Sequence, residues 1–345
     1  MIAASSKSDQ PQGALEALPR PHWQQLLADA IKDPDDLCRS LGLDPAVLEG
    51  AHPALRQFPL RVPRSFVAKM RPGDARDPLL LQVLPVADEM SVVEGFGLDP
   101  VGDLASRATQ GLLHKYDGRA LLVTTGACAV HCRYCFRRHF PYQQESALGG
   151  GWEGALHHLR SDPTISEVIL SGGDPLSLSD RRLQQLTDGI QAIPHVRRLR
   201  IHTRYPLVLP ERVDRGLLAW LAGVRLQKVV VIHANHPREL DAASRRACLD
   251  LRAADATVLN QSVLLAGIND TLDTLVELSE SLFACAVLPY YLHVLDRVQG
   301  AAHFDVADAD ALRLHAELTA RLPGYLVPKL VREVPGAASK TPLKP

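Results

Sequence analysis

The sequence predicts an α/β fold, a partial TIM-like (β/α)6 barrel with a small helical N-terminal region, from two observations. Amphipathic helical patterns, such as residues 180–190 and 211–221, alternate with short apolar runs, most of them spaced by the ~30 residues of one βα unit. The runs are rich in β-branched residues and lie at 120–125, 167–170, 199–202, 228–233, 257–263 and 286–291. Parallel strands joined by crossovers close into a barrel or wind into an open sheet, and functional residues gather where such strands end.

The segments that flank the predicted barrel differ from it. Residues 1–20 mix Ser, Gln, Pro and Ala without apolar periodicity, so we expect a disordered N-terminus. Apolar positions recur at helical spacing from Trp23, and Pro, Gly and Asp become frequent further on. Residues 21–110 are therefore predicted to form a mainly helical region followed by a segment that wraps around a larger body. The barrel is assigned to 111–322 and a C-terminal segment to 323–345.

The composition limits the classes of function. With 345 residues, 46% of them hydrophobic, the chain can bury a large core. Lys and Arg total 38 against 39 Asp and Glu, and no basic block stands out, which argues against an extended nucleic-acid interface. The start of the chain lacks a charged segment followed by an apolar run, and no stretch approaches the ~20 apolar residues of a membrane span. We therefore expect a cytoplasmic protein with no membrane partner.

Three of the six cysteines crowd into one short segment just past the first predicted strand. Cys128, Cys132 and Cys135 have the spacing C-x3-C-x2-C and the others are scattered, which favours a metal site over disulfides. Three thiolates can hold three irons of a cubane cluster and leave the fourth iron open to the amino and carboxylate groups of a small molecule. Zinc is the alternative, but structural zinc sites usually have four ligands, and only His131 lies within the loop, with no second CxxC or HxxxH nearby.

A glycine-rich motif, Ser171-Gly172-Gly173-Asp174, follows the second predicted strand. Glycines let a backbone approach a ligand closely, and a carboxylate can accept hydrogen bonds from an ammonium or a ribose hydroxyl, although such a motif alone is also typical of a plain turn. Together with the cysteine spacing, and with aromatic residues on both sides of Cys135, it resembles the radical S-adenosylmethionine superfamily. The resemblance implies a radical SAM barrel whose [4Fe-4S] cluster reduces S-adenosylmethionine, bound in part by Ser171, Gly172, Gly173 and Asp174, to give a 5′-deoxyadenosyl radical.

Near the end of the sequence, Lys340 lies on a loop of small residues after the apolar run 325–334. A lysine so placed can form a Schiff base with pyridoxal phosphate, although a near-terminal lysine alone is usually a solvated charge. Several segments together resemble the lysine 2,3-aminomutase family, which combines both cofactors. These segments cover most of residues 65–345 and lie at 114–122, 128–138, 171–175, 201–210, 233–237, 260–270, 289–296 and 336–342.

The family resemblance implies roles for individual residues. Lys340 would carry pyridoxal phosphate, and Arg119 and Tyr116 would hold it, with Arg119 at its phosphate. His233 and Gln261, at predicted strand ends, would line the S-adenosylmethionine cavity. The substrate would be L-lysine, and the electron donor a reductant protein such as flavodoxin or ferredoxin.

The resemblance also implies a set of residues for the substrate. The guanidinium of Arg137 would bind the substrate carboxylate, for which its planar fork is well shaped. Asp296 would receive the side-chain ammonium, helped by Glu333 where the family has an aspartate. The longer Glu333 side chain leaves the geometry and the stereochemistry of the product open.

The segment from Tyr290 to Gly300, the helix at Trp23 and the short chain resemble the aminomutases that act in elongation factor P modification. Those convert L-α-lysine to (R)-β-lysine, which a separate ligase attaches to the factor. A metabolic aminomutase that supplies β-lysine as an osmolyte, or one for another amino acid such as glutamate, is the alternative enzyme. Asp296 argues against glutamate because two carboxylates repel. A non-catalytic iron–sulfur or zinc protein is the alternative from another class.

Overall fold

The computed structural model describes residues 22–145 and 152–344, so the disorder predicted for 1–20 lies outside the described residues. Its α-helices are α1 (His22–Ala28), α2 (Pro34–Leu41), α3 (His52–Gln57), α4 (Arg64–Val67), α5 (Pro78–Leu81), α6 (Tyr142–Glu145), α7 (Glu153–Ser161), α8 (Asp180–Gln191), α9 (Tyr205–Val208), α10 (Arg215–Gly223), α11 (Ala242–Ala253), α12 (Leu272–Phe283) and α13 (Asp308–Arg321). Among these described helices, none is long and apolar enough to cross a membrane.

The strands form a single ten-stranded sheet in which each strand pairs with its neighbours in sequence. They are β1 (Arg107–Thr109), β2 (Leu112–Tyr116), β3 (Arg119–Thr125), β4 (Glu167–Gly172), β5 (Arg198–Thr203), β6 (Gln227–Ile232), β7 (Ala256–Val263), β8 (Leu288–His293), β9 (Lys329–Arg332) and β10 (Thr341–Pro342). From β3 to β9 all pairs are parallel, and antiparallel strands flank both ends. Because β1 and β10 do not pair, the barrel is partial, and the predicted α/β partial barrel is confirmed.

The six predicted strands overlap β3 to β8, and β9 adds a seventh parallel strand inside the apolar run 325–334. The last predicted strand begins later than expected because Ala286 has a φ of 57° and belongs to the turn that ends α12. The strands that the sequence did not predict, β1, β2, β9 and β10, have between two and five residues. Such short, partly exposed strands carry too little apolar periodicity to be recognised.

Capping side chains mark where several helices begin after the strands. Ser179 before α8, Asp214 before α10, Asp241 before α11 and Thr271 before α12 each accept a hydrogen bond from a backbone N–H of the first helical turn. Each cap fixes the point at which the loop after a strand ends. The loops that carry the predicted site residues are therefore bounded on both sides by regular structure.

The N-terminal helices share one hydrophobic core with the barrel. Trp23 and Phe66 belong to the same buried cluster as Leu122 of β3, and the ring of Trp23 packs edge-on against Tyr205 at 6.0 Å. Burial of one such large side chain contributes about 1.5–3 kcal/mol. The shared core places residues 58–61, which follow α3, directly against the cysteine loop.

Candidate active site

A cavity of about 410 Å³ lies at the carboxyl ends of the parallel strands, a volume typical of small-molecule sites. Every site residue predicted from the sequence lines it: Tyr116, Arg119, Cys128, Cys132, Cys135, Arg137, Ser171, Gly172, Gly173, Asp174, His233, Gln261, Asp296, Glu333 and Lys340. These residues come from the β2–β3 hairpin, from the ends of parallel strands and the loops that follow them, and from the C-terminal hairpin. Curvature of the sheet therefore gathers side chains that are far apart in sequence.

The cysteine loop, residues 126–136, is fastened to the N-terminal region. Arg61 donates to the carbonyl oxygen of Cys128 at 3.2 Å and accepts a backbone hydrogen bond from His131 at 3.0 Å. On the other side, Arg133 pairs with the carboxylate of Glu89, with its Nε 2.8 Å from Oε1. Both members of this pair are fully buried, so the loop is held by interactions that water does not weaken.

The spacing of the three thiols fits an iron–sulfur cluster better than a zinc ion. Zinc–thiolate bonds of ~2.3 Å place sulfur atoms ~3.8 Å apart around a single ion. The Sγ atoms of Cys128, Cys132 and Cys135 do not all lie within 4.8 Å of one another. A cubane distributes its ligands over several irons and accepts this wider spacing. The residues therefore fit a [4Fe-4S] cluster.

Two of the three thiols, those of Cys128 and Cys135, have raised pKa values. Burial raises the pKa of Cys135 to about 11, and burial followed by the nearby Asp174 carboxylate raises the pKa of Cys128 well above its ordinary value. Thiols must lose their protons to bind iron, so cluster assembly at this loop releases protons. The remaining cysteines, Cys38, Cys248 and Cys285, are buried free thiols away from the cavity.

Gly172 and Gly173 pack against the backbone of the cysteine loop. Gly172 has a φ of 113°, which side-chain-bearing residues rarely adopt, and a Cβ on Gly173 would lie 2.4 Å from the carbonyl oxygen of Ala127. The N–H of Gly173 donates to Thr125 at 2.7 Å, and that of Asp174 donates to Ala127 at 2.8 Å. The glycines are required because the loop after β4 touches the loop after β3.

The carboxylate of Asp174 joins the ends of β4 and β5. It accepts hydrogen bonds from the Thr203 hydroxyl at 2.8 Å and the Arg204 N–H at 2.7 Å. Burial raises its pKa to about 6, although these donors oppose the shift. Protein donors thus engage both oxygens, and a direct contact of Asp174 with S-adenosylmethionine stays a prediction.

A chain of ion pairs runs across the cavity wall from the cysteine loop to the C-terminal lysine. Arg137 Nε lies 2.7 Å from Asp103 Oδ2, and Asp103 Oδ1 lies 2.6 Å from Lys115 Nζ. Lys115 Nζ is 3.6 Å from Glu333 Oε1, whose other oxygen is 2.7 Å from Lys340 Nζ. Each oxygen of the two carboxylates thus faces a basic side chain, which offsets the cost of burying these charges.

The pKa of Asp103 shows the strength of this arrangement. Burial alone would raise the pKa of Asp103, but Arg137 and Lys115 outweigh burial and lower it below its ordinary value. The guanidinium of Arg137 also donates to the Ser171 hydroxyl at 3.1 Å. Two partners therefore fix the plane of Arg137 beside the cysteine loop.

At the other end, Lys340 lies in the loop of the β9–β10 hairpin. Glu333 accepts hydrogen bonds from Lys340 Nζ at 2.7 Å and from the Tyr116 hydroxyl at 2.5 Å. Burial alone would raise the pKa of Glu333, but Lys340 and Tyr116 lower it. Arg119 stacks over the Tyr116 ring at 4.5 Å, and Lys340 Nζ lies 5.8 Å from the centre of the Tyr291 ring.

Asp296, which follows β8, has no direct ion pair among the described residues. Burial raises its pKa to about 7; Lys340 opposes this shift and Glu333 reinforces it. A carboxylate in this state gains ionisation when a cation binds beside it. The position is therefore suited to an ammonium group from a ligand.

Three of the histidines that line the cavity are His202, His233 and His293, and two of them have unused hydrogen-bonding capacity. His202 Nδ1 lies 3.2 Å from His233 Nε2, while His202 Nε2 and both ring nitrogens of His293 are buried without a partner among the described residues. Burial lowers the pKa of all three, that of His233 to about 3, so the rings are neutral. Buried polar atoms are normally satisfied, and these orphaned nitrogens indicate a polar ligand.

Sequence reasoning missed several residues of this site. Asp103, Lys115, Arg204, His202 and His293 line the cavity, but the motifs did not single them out. The two histidines lie at the carboxyl ends of β5 and β8, where the barrel prediction places functional side chains. Asp103 and Lys115 had no such indication because they precede the predicted barrel strands.

The fold and the three-cysteine loop define the class of radical S-adenosylmethionine enzymes. The comparisons with known proteins then identify the family. L-lysine 2,3-aminomutase of Escherichia coli K12 is 49% identical over 325 residues, covering 94% of this chain and 95% of that protein. L-lysine 2,3-aminomutase of Clostridium subterminale is 32% identical over 94% of this chain but only 78% of its own length. The chain belongs to the L-lysine 2,3-aminomutase family, whose members are isomerases.

Two other comparisons add little. No protein-family model matches the chain. A radical SAM methyltransferase from Sphaerobacter thermophilus has 18% sequence identity and a TM-score of 0.45 over 64% of this chain and 68% of its own, a likeness too weak to carry an argument. The family assignment therefore depends on sequence similarity to the aminomutases.

Proposed function

We propose that this protein is an L-lysine 2,3-aminomutase that converts L-α-lysine to (R)-β-lysine with a [4Fe-4S] cluster, S-adenosylmethionine and pyridoxal phosphate. The observation that carries the proposal is the ion-pair chain Arg137–Asp103–Lys115–Glu333–Lys340, which joins the cysteine loop to the C-terminal lysine along one cavity wall. A radical source and an amine for carbonyl chemistry would then act in the same space. The names of the relatives support lysine as the substrate.

The residues of the cavity fit pyridoxal phosphate. Lys340 offers an amine that is only 22% exposed, Arg119 offers a cation for a phosphate, and the orphaned nitrogens of His202 and His293 offer further polar contacts. Lys340 and Arg119 would hold this cofactor, with Tyr116 beside it. His233 and Gln261, together with the loop after β4, would hold S-adenosylmethionine next to the cluster.

When bound, the cluster and S-adenosylmethionine supply a carbon-centred radical, and pyridoxal phosphate supplies a carbonyl carbon and a conjugated ring. The protein contributes placement, charge and exclusion of water. Glu333, whose pKa is lowered by Lys340 and Tyr116, stays an anion and holds the Lys340 ammonium at the cavity wall. The Tyr116 hydroxyl keeps the Glu333 carboxylate oriented toward Lys340.

Two sets of charges recognise the two ends of L-lysine. The Arg137 guanidinium, held by Asp103, binds the α-carboxylate. Asp296 receives the side-chain ammonium, and Glu333 joins it once Lys340 is engaged by the cofactor. This arrangement disfavours glutamate, whose side-chain carboxylate would face two acidic groups.

The (R) configuration and the use of β-lysine in elongation factor P modification are part of the proposal. Both are supported by the similarity to short aminomutases. The match covers 95% of the E. coli relative but only 78% of the Clostridium relative, so the chain is closer in length to the former. A flavodoxin or ferredoxin in the cytoplasm would supply the electron. A ligase would then attach the product to elongation factor P.

Chiral product analysis tests the proposal. The reconstituted protein is incubated anaerobically with L-lysine, S-adenosylmethionine, pyridoxal phosphate and dithionite, and products are separated by chiral chromatography with mass detection. (R)-β-lysine is expected. The (S) form would overturn the elongation factor role and favour a metabolic aminomutase, while deoxyadenosine without any β-amino acid would overturn lysine as the substrate.

A further inference from the structure

Arg204 contacts one sulfur of the cysteine loop. It follows β5, is buried, and its Nη1 lies 2.9 Å from Cys132 Sγ, although the two residues are 72 positions apart in sequence. The Tyr134 hydroxyl also interacts with Cys132, and the backbone N–H of Arg137 donates to Cys135. Arg204 differs from these donors because it brings a full positive charge to the sulfur.

The guanidinium of Arg204 is fixed in place by several partners. Its Nη2 donates to Gln82 and to Glu239 Oε2, the latter at 2.9 Å, and its backbone N–H donates to Asp174. The Phe66 and Tyr134 rings lie on it at 5.4 and 5.7 Å. A donor held this firmly does not need to reorganise when the charge of its acceptor changes.

Both carboxylate oxygens of Glu239 accept hydrogen bonds. It is fully buried, and its Oε1 accepts hydrogen bonds from the N–H groups of Asn235 at 2.9 Å and His236 at 3.1 Å. The pair Arg204–Glu239 therefore brings a positive charge to the sulfur and holds the compensating negative charge on the far side of the guanidinium. The two charges act on the cluster with opposite sign and unequal strength because their distances differ.

We infer that Arg204 sets the reduction potential of the cluster by donating a charge-assisted hydrogen bond to the sulfur of Cys132. The inference rests on the proposed function, since it requires the cluster. The step is a one-electron reduction in which the cluster gains an electron from a low-potential donor and no bond or proton is exchanged. Hydrogen bonds and positive charge at the sulfurs stabilise the reduced, more negative cluster and so raise its potential.

The test is an EPR-monitored redox titration of the reconstituted protein with full iron and sulfide content, without S-adenosylmethionine. Arg204→Gln combined with Glu239→Gln removes the cation and its counter-charge together and should make reduction about tenfold less favourable, which equals ~59 mV for one electron. Glu239→Gln alone leaves the cation uncompensated and should shift the potential upward. A merely structural role would not produce shifts of opposite sign.

Arg212→Gln is the matched control, because Arg212 is also fully buried but donates to the carbonyl oxygens of Leu176 and Leu178. Its potential should equal that of the wild type. Unchanged potentials in the double variant and in Glu239→Gln would overturn the inference. If the double variant loses its cluster, the reduction potential of Glu239→Gln alone tests the inference, and an unchanged potential would overturn it. A wild-type protein that takes up zinc but no iron would instead overturn the proposed function.

Discussion

The two ends of the ion-pair chain are built differently. Beside its cysteine end, and outside the chain itself, Arg133 and Arg138 share the carboxylate of Glu89, and all three side chains are fully buried. At the lysine end, Lys340 is 22% exposed and lies on a hairpin closed by the two-residue strand β10. Both ends contain buried charges, but the side chains of the Glu89 group have no exposed surface, whereas that of Lys340 has some.

This difference matches the chemistry that we propose for each end. Cluster ligands must keep their geometry while the cluster changes charge, and buried, fully paired networks are rigid. Lys340 must release its bond to Glu333 in each catalytic cycle, and weakly enclosed segments open at low cost. A rigid cysteine end and an adaptable lysine end can therefore share one cavity.

The largest expected effect separates the two ends. Lys340→Ala should reduce β-lysine formation to background and abolish pyridoxal absorbance, because no other lysine is expected to carry the cofactor. Iron and sulfide content should stay at the wild-type level. Lys329→Ala, an exposed lysine of β9, is the control and should keep both activity and absorbance. Loss of iron in Lys340→Ala would show that the two ends are not independent.

Stability should distinguish the ends next. Glu89→Gln leaves two buried guanidinium groups without their counter-charge and should lower the free energy of unfolding by ~3–5 kcal/mol. Glu333→Gln, at the Lys340 pair whose side chains are 22% and 11% exposed, should lower it by less, ~1.5–3 kcal/mol. Urea titrations followed by circular dichroism measure both. Equal losses of unfolding free energy in the two variants would contradict the view that the cysteine end is rigid and the lysine end adaptable.

Asp103 connects the two ends, so its removal should affect substrate binding. Asp103→Asn weakens the bond that orients Arg137 and should raise the KM for lysine about tenfold with a smaller change in kcat. Asp117→Asn, an exposed carboxylate in the turn between β2 and β3, is the control. A fall in kcat at unchanged KM would place Asp103 in the chemical step instead of in binding.

The smallest effect is a pH dependence at the lysine end. Because burial raises the pKa of Asp296 to about 7, a growing fraction of this carboxyl is neutral below that pH and binds an ammonium weakly. The KM for lysine should therefore fall several-fold as pH rises through about 7. Asp296→Asn should have a higher KM that does not change in this interval. A KM that rises across the same range in the wild type would be incompatible with this role.

The parts of the fold that the sequence predicted have local causes. The strands β3 to β8 contain runs of β-branched residues, and each is long enough for this pattern to be recognised in the sequence. The cysteine loop is also local, since three thiols within eight residues meet at one loop in almost any fold. The strands β9 and β10 were not predicted because they are short and are stabilised by residues far away in sequence.

Most residues of the site were predicted from the sequence, but the ion pairs and hydrogen bonds between them were not. The family resemblance supplied residues from Tyr116 to Lys340, and all of them line the cavity, while their roles remain predictions. Asp103 lies outside the resembling segments, and Lys115, although within 114–122, was given no role, because the importance of both lies in the ion pairs that they make with Arg137 and Glu333. Neither residue has an unusual sequence context.

The sequence by itself determined the strands β3 to β8, the cysteine spacing and the presence of a C-terminal lysine, because these depend on neighbouring residues in the chain. Only the tertiary structure decided that Arg204 meets Cys132 across 72 positions and that the Tyr116 hydroxyl meets Glu333 across 217. Contacts at such separations depend on how the sheet curves and on which strand ends face one another. That geometry results from the packing of the whole core, so no short segment of the sequence specifies it.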